Sequence, residues 1–141
     1  MDQTKKIMRL GAYGVITEHS KLLVTQKKSG PYKGLWGLPG GAIEFGETPE
    51  YTLKREIQEE TALFADRLRL LTVITSCCEY LRNDEIYQFH HIGIIYRVNS
   101  ILHLPAIVPE EEMRWIPFQE IIPEELTPFA KQAYSEKLFW K

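Results

Sequence analysis

Apolar and polar positions along the chain alternate in short runs, with two helical stretches set among them. Arg9 to Thr17 and Lys21 to Lys27 are β-rich and are separated by Glu18-His19-Ser20, which predicts a hairpin. A loop, Ser29 to Gly34, follows, then a short extended segment, Leu35 to Ile43, broken at Pro39-Gly40-Gly41. Thr48 to Thr61 carries a helix start. Thr48 suits the N-cap, Pro49 the first helical position, and Glu50 the positive end of the dipole. Leu68 to Cys78 and Ile86 to Val98 read as long strands joined by a polar turn around Arg82-Asn83-Asp84. Met113 to Ile116 is a short strand. A last helix is expected from Pro128 to Leu138, with Phe129, Ala130, Ala133, Tyr134 and Leu138 on or near one face. Strands interrupted by one central and one terminal helix predict an α/β chain of the α+β type, a mixed sheet covered by helices.

No repeat, low-complexity tract or linker divides the sequence, so residues 1–141 read as one domain. At 44% apolar and 11% aromatic residues, the chain is expected to bury its own core without staples. Cys77 and Cys78 are neighbours whose side chains point to opposite faces of a strand, so they form no disulfide framework and read as reduced thiols in or near the core. The amino terminus opens no secretory leader, and the uncharged stretch Ile86 to Tyr96 is well short of the ~20 residues of a spanning helix. A cytoplasmic protein without a membrane partner is the expectation. The net charge of −2 argues against a duplex nucleic-acid binder. Charge is unevenly spread, however. Residues 1–39 carry seven cations and two carboxylates, whereas residues 40–60 carry six carboxylates and two cations.

Three of those carboxylates share one arc of the central helix. With Glu56 at the origin of a helical wheel, Glu60 falls near about +40° and Glu59 near about −60°. Leu53 and Ile57 lie beside them and form the apolar stripe. Like charges at this spacing repel. Two readings stay open on the residues alone: a solvated acidic face, or hard oxygen ligands for Mg²⁺ or Mn²⁺.

The surrounding residues carry a resemblance. Gly41, five residues, Glu47, seven residues, then Arg55-Glu56-Ile57-Gln58-Glu59-Glu60-Thr61-Ala62-Leu63 is similar to the Nudix box over residues 41–63, and Leu38-Pro39-Gly40-Gly41 is similar to the family's entry into it. The last box glycine is Ala62 here. The chain thus resembles the MutT-like Nudix hydrolases, which implies an αβα sandwich with a central mixed sheet. It also implies a metal-dependent pyrophosphohydrolase acting on a nucleoside diphosphate linked to another moiety, with Mg²⁺ (or Mn²⁺) as cofactor. Glu56, Glu59, Glu60 and the Gly40 carbonyl are the implied metal ligands. Arg55, pointing away from the ligand arc toward the loop, is expected to pair with Glu47. The resemblance allows the general base in the box, where Glu59 is preferred, or in the acidic loop Glu110-Glu111-Glu112, where Glu112 is preferred. Ala62 is expected either to adopt a left-handed conformation at a cost or to let the helix run on.

Among other candidates, Lys27, Lys28 and Lys33 are placed to meet phosphate oxygens. His90 and His91 alternate across a strand, so at most one faces a pocket. Tyr80 stands at a spacing that, by the resemblance, accompanies dinucleoside polyphosphate hydrolysis. Phe89 and Trp36 are candidate base-stacking rings, with core packing the preferred role for both. A nucleotide-type small molecule is the expected partner, and a monomer or a homodimer the expected state. Two alternatives stand beside hydrolysis of small nucleotides: removal of pyrophosphate from an RNA 5′ end, and a sensor that binds a nucleotide without turnover.

Overall fold

The computed structural model describes residues 4–140. The amino-terminal reading above falls in part on residues 1–3, outside the described residues. The architecture is a mixed α+β sandwich, built on two sheets with a helix against each of two cores. In the larger sheet, β1 (Lys5–Val15) runs parallel to β7 (Glu85–His103). On its other side β1 pairs antiparallel with β5 (Gly40–Ala42), and β7 pairs antiparallel with β6 (Leu63–Arg82), giving the order β5-β1-β7-β6. In the smaller sheet, β3 (Lys21–Gln26) pairs with β2 (Thr17–Glu18), β4 (Trp36–Gly37) and β8 (Met113–Pro117).

The expected hairpin of residues 9–17 against 21–27 is not what forms. Only β2 pairs back on the start of β3, while β1 crosses into the other sheet. The reason is burial. Gly11 to Val15 are buried at every position, so this stretch fills a central strand between β5 and β7 rather than one arm of a hairpin. The two long strands start earlier and end later than their hydrophobic runs. Both are closed by Asn83 and Asp84, which take positive φ values of 50° and 63°, the conformation of a tight two-residue hairpin turn.

Helix α1 (Pro49–Thr61) begins as its sequence requires: the Thr48 side chain accepts a hydrogen bond from the Tyr51 N–H. Leu53 and Ile57 pack with Ala12, Ile16, Leu63 and Tyr96 on one face of the larger sheet. Helix α2 (Pro128–Ser135) covers the other face, where Phe129, Ala130 and Ala133 join Tyr13, Val15 and Ile95. It is shorter than expected. Lys137 adopts a left-handed φ of 57°, and a 3₁₀ turn, Leu138–Trp140, carries Leu138 and Phe139 into the core instead of a further helical turn. Cys78 is half-buried, but Cys77 is exposed, because β6 extends beyond the area that α1 covers. Among the described residues, no helix is long and apolar enough to cross a membrane.

Ala62 settles between its two expected fates by ending the helix. It sits at φ 60°, ψ 26°, and its N–H bonds to the Gln58 carbonyl. That is the left-handed cap that glycine occupies at least cost, and alanine raises its energy by about 1–2 kcal/mol. The Ala62 carbonyl also accepts from the Leu104 N–H, just past the end of β7. Replacement of Ala62 by Gly is expected to be neutral or to stabilise the fold by up to about 1 kcal/mol, a rise of a few degrees in melting temperature by calorimetry. A loss of more than about 1 kcal/mol would contradict the strain assigned to this cap.

Candidate active site

The carboxylates of α1 stand against the loop that enters it. Gly40 has φ 145°, and a Cβ there would collide with the Ala12 carbonyl. Its N–H instead donates to Glu60 Oε1 at 3.1 Å, while the Thr25 hydroxyl donates to Glu60 Oε2 at 3.3 Å. At Gly41, a Cβ would come within 2.7 Å of the Glu56 carboxyl carbon, so the bare backbone is what lets that carboxylate lie against the loop.

Arg55 fastens loop to helix. Its Nε and Nη2 donate to the two oxygens of Glu47, each at 2.9 Å, the pairing that the resemblance implies. The Glu47 oxygen also accepts from the Thr52 hydroxyl at 2.8 Å. The guanidinium beside Glu47 holds that carboxyl down to about 2. Arg55 does not, however, point wholly away from the acidic arc. Its Nη1 reaches Glu56 at 2.9 Å and Glu59 at 3.5 Å, because the long side chain bends back along the helix surface.

Glu60 is the costly member. It is 5% exposed, and burial pushes its carboxyl up to about 8. Lys27, with Nζ at 4.0 Å, and the Gly40 N–H oppose that shift, while Glu56 and Glu111 reinforce it. Burial raises Glu56 as well, against the pull of Arg55. Glu111, rather than Glu112, is the loop acid brought to this cluster. The Glu110 and Glu111 amides bond to the Glu59 and Glu60 carbonyls, and Glu111 Oε2 is buried with no hydrogen-bond partner. Glu112 is exposed, and the fold uses its backbone carbonyl, which accepts from the Gln26 N–H. The two neighbours exchange roles because β8 starts immediately after them and its alternation decides which one faces inward.

Among the described residues, no three His, Cys, Asp or Glu side chains are gathered in coordinating geometry. Arg55 and the Gly40 amide hold the glutamate oxygens instead. The donors nevertheless suit a hard divalent cation. They are all carboxylate oxygens, they outnumber the cations beside them, and one buried oxygen has no partner.

Next to the carboxylates lies a cleft of about 590 Å³. Gly40, Gly41 and Lys27 line its inner end, and Arg9, Lys28, Lys33 and Arg82 add positive charge. Lys27, Lys33, Tyr80 and Phe89, all expected near substrate, do line this cleft. Trp36 does not; it packs against the core under α2 with Arg114 over its ring. His91 faces the cleft, and His90 lies on the opposite face of the sheet.

The floor of the cleft is a cluster of rings built over two glycines. Gly11 and Gly93 are cross-strand partners. A Cβ on Gly11 would come within 2.6 Å of the Tyr13 ring, and one on Gly93 within 2.5 Å of Phe129. Both rings therefore pass close over the bare backbone and meet His91, at centroid distances of 5.4 and 4.3 Å. His91 Nε2 bonds the Tyr13 hydroxyl at 2.7 Å and Nδ1 bonds the Tyr32 hydroxyl at 3.2 Å. Sequence reasoning missed Tyr13, Tyr32, Phe129 and Glu111. The pair Gly11-x-Tyr13 was a usable signal, since a glycine two positions before an aromatic on a strand leaves room for its ring. Nothing local announced that Tyr13 would meet a residue 78 positions away.

The profile of the NUDIX domain family matches residues 7–137. An ADP-ribose pyrophosphatase of Methanocaldococcus jannaschii is 44% identical over 88 residues, covering 62% of this chain and 48% of that protein. A putative 8-oxo-dGTP diphosphatase 3 of Mycobacterium tuberculosis is 34% identical over 96 residues, covering 67% of this chain and 43% of that one. The chain thus spans about half the length of these curated relatives. The crystal structure of a MutT NUDIX hydrolase from Burkholderia pseudomallei superposes with a TM-score of 0.71 at 25% identity, covering 92% of this chain and 97% of that one.

The His91 cluster has a pH signature. Burial, with Arg9 and Lys27 adding like charge, pushes His91 down to about 4. Above pH ~6.5 both folded and unfolded forms hold it neutral; between about 6.5 and 4 only the unfolded chain takes the proton, so stability is lost as pH falls, by up to about 3 kcal/mol. Glu60 has the opposite sign in an overlapping range, being protonated when folded and ionised when unfolded. The difference between two proteins that both keep Glu60 isolates the histidine. His91→Phe is expected to gain on the wild type by up to about 3 kcal/mol as pH falls from 7 to 4, measured by urea denaturation. A difference that stays constant over that range would contradict the buried neutral imidazole.

Proposed function

The chain belongs to the NUDIX domain family, and from that premise we propose that it is a metal-dependent pyrophosphohydrolase cleaving a nucleoside diphosphate linked to another moiety. The observation that carries the proposal is the meeting of three elements at one place. Glu56 and Glu60 stand against the Gly40–Gly41 backbone, with Glu59 beside them on the helix, next to a cleft with aromatic walls and a positive rim. The substrates named for the two curated relatives, ADP-ribose and 8-oxo-dGTP, share this chemistry: a nucleoside diphosphate carrying a further group. Retention of every box carboxylate favours turnover over a binding-only sensor.

Glu56 and Glu60, with the Gly40 carbonyl, would hold Mg²⁺ or Mn²⁺, with Glu59, on the same helix, and Glu111, whose charge acts on Glu60, as the further acids on offer. Such an ion neutralises phosphate oxygens and lowers the pKa of a bound water. The chain's own residues do the rest. Tyr80 offers a ring to a base, backed by the buried Phe89, and Lys27 and Lys33 offer ammonium groups to phosphate oxygens. Arg55 keeps the glutamate helix seated on its loop. Glu59 is the proposed base. Its carboxylate is the least restrained of the three, meeting Arg55 at 3.5 Å where Glu56 meets it at 2.9 Å. Glu111 replaces Glu112 as the rival in the acidic loop, because its unpartnered oxygen is the one turned inward.

Two measurements test this reading. ADP-ribose, 8-oxo-dGTP, nucleotide sugars and dinucleoside polyphosphates are incubated with Mg²⁺ or Mn²⁺, and release of a nucleoside monophosphate is expected from at least one. On that substrate, Glu56→Gln and Glu60→Gln are each expected to lower kcat by a hundredfold or more, about 3 kcal/mol in barrier. Glu60→Gln is also expected to melt higher at pH 7 in the absence of metal, since a neutral amide is buried without the proton uptake that the raised Glu60 carboxyl requires. The base is separated from the ligands by kinetics. Glu59→Gln is expected to lose roughly 10²–10⁴ in kcat with little change in the metal concentration for half-maximal rate, and Glu112→Gln about tenfold or less. A Glu111→Gln enzyme that is nearly dead at saturating Mg²⁺, with its metal requirement unchanged, would move the base into the loop.

A further inference from the structure

The cleft holds more positive charge than a metal-bound diphosphate calls for. Arg9, Lys27, Lys28, Lys33 and Arg82 line it, and none of its lining side chains is a carboxylate or an amide. Lys27 is committed to Glu60 at 4.0 Å, and Lys28 donates to the Glu110 carbonyl at 3.1 Å. Arg9, Lys33 and Arg82 form no ion pair among the described residues. Lys5, four residues before Arg9 and on the same face of β1, is matched by contrast with Glu85 at 2.9 Å. Arg9 is also the best placed of the unmatched cations. Its guanidinium lies over the Phe89 ring, 5.5 Å from the centre, and Tyr80 and Tyr32 meet the same ring at 6.2 and 5.9 Å. Phe89 is buried and Arg9 is exposed, so a fixed ring carries a guanidinium whose donors stay open to the cleft. Arg9 stands four residues along β1 from Tyr13, the strand partner of Gly40, so about 13 Å separates it from the loop at the glutamates. One nucleoside bridges a gap of that order.

We propose that Arg9 anchors a second anion site, and that the substrate is a nucleotide bearing a further phosphate on its sugar, separate from the anhydride that is cleaved. This inference rests on the hydrolase reading and names a substrate class within it. Charge and geometry both select phosphate. A metal at the glutamates would neutralise the diphosphate itself, which leaves the cations at the far end of the cleft without a counter-charge. A guanidinium presents two parallel N–H donors that match two oxygens of one phosphate. Arg82, two residues beyond Tyr80 on the same strand, adds a second cation at this end. A base edge fits Arg9 less well. Arginine pairs with O6 and N7 of guanine. The N1–H and amino group of that base would then find no carboxylate or amide side chain in the lining, and both nitrogens of His91 are taken by tyrosine hydroxyls. With the 5′ phosphates at the glutamates and the sugar phosphate at Arg9, the ring is left to Tyr80.

Binding of three simple nucleotides tests the site without turnover. AMP, adenosine 2′,5′-bisphosphate and adenosine 3′,5′-bisphosphate contain no anhydride, so their affinities are measured by calorimetry in the presence of Mg²⁺. At least one bisphosphate is expected to bind about tenfold or more tighter than AMP, and the better one shows which sugar oxygen carries the phosphate. Arg9→Gln is expected to bring that ratio to within about twofold. Lys6→Gln, which removes the same charge from the opposite face of β1, is expected to keep it. A protein that shows the preference but cleaves no nucleotide upholds this site while the hydrolase reading fails. One that cleaves nucleotides yet binds neither bisphosphate tighter than AMP overturns this site alone. A preference that survives Arg9→Gln, or that falls as far in Lys6→Gln, overturns it as well.

Discussion

Carboxylates crowded beside an apolar stripe are the constraint on which the other features of this protein turn. Glu56 and Glu60 lie one helical turn apart next to Leu53 and Ile57, where water is scarce, and Glu111 presses on them from the acidic loop. The chain meets that cost with positive or dipolar groups at fixed points: the Gly40 amide, the Lys27 ammonium and the Arg55 guanidinium. The glycines of the entry loop are required for the same reason, since a side chain at either position would push the loop off the carboxylates. What is left over is an excess of negative oxygen that a hard divalent cation would neutralise.

The second device is the treatment of the sheet under the cleft. Parallel pairing of β1 with β7 aligns Gly11 with Gly93, and this bare pair lets Tyr13 and Phe129 close around His91. Tyr32, from the loop between β3 and β4, caps the imidazole from above and stacks on it. The result is an aromatic floor whose polar atoms are mutually bonded, set beside a positive rim. A substrate with both an aromatic ring and phosphates finds complementary chemistry at the two ends of one cleft.

Local chemistry made the helix and its loop legible in the sequence. The Thr48 cap and the Leu53 and Ile57 stripe depend on residues within about two helical turns of one another and stand where their spacing predicts, and the Arg55–Glu47 pair is the one the resemblance implies. Strand pairing was less legible. The break at Ile16, which sends β1 to one sheet and β3 to another, follows from burial on both faces of β1, a property of the packed molecule rather than of the run itself. The choice of Glu111 over Glu112 shows the same limit in miniature. In a run of identical residues, only the register of the strand that follows says which one turns inward. The ring cluster at His91 was hidden for the strongest version of this reason, as its members come from four separate parts of the chain.

The central claim is that the glutamate cluster is a site for a divalent cation, and direct titration of Mn²⁺ followed by electron paramagnetic resonance tests it without any substrate. The wild type is expected to remove free Mn²⁺ from solution at a site for which Mg²⁺ competes. Glu60→Gln is expected to weaken that site by about tenfold or more, within the range found when metal-site partners are removed. Equal Mn²⁺ binding by wild type and Glu60→Gln, or no saturable site in either, would contradict the account.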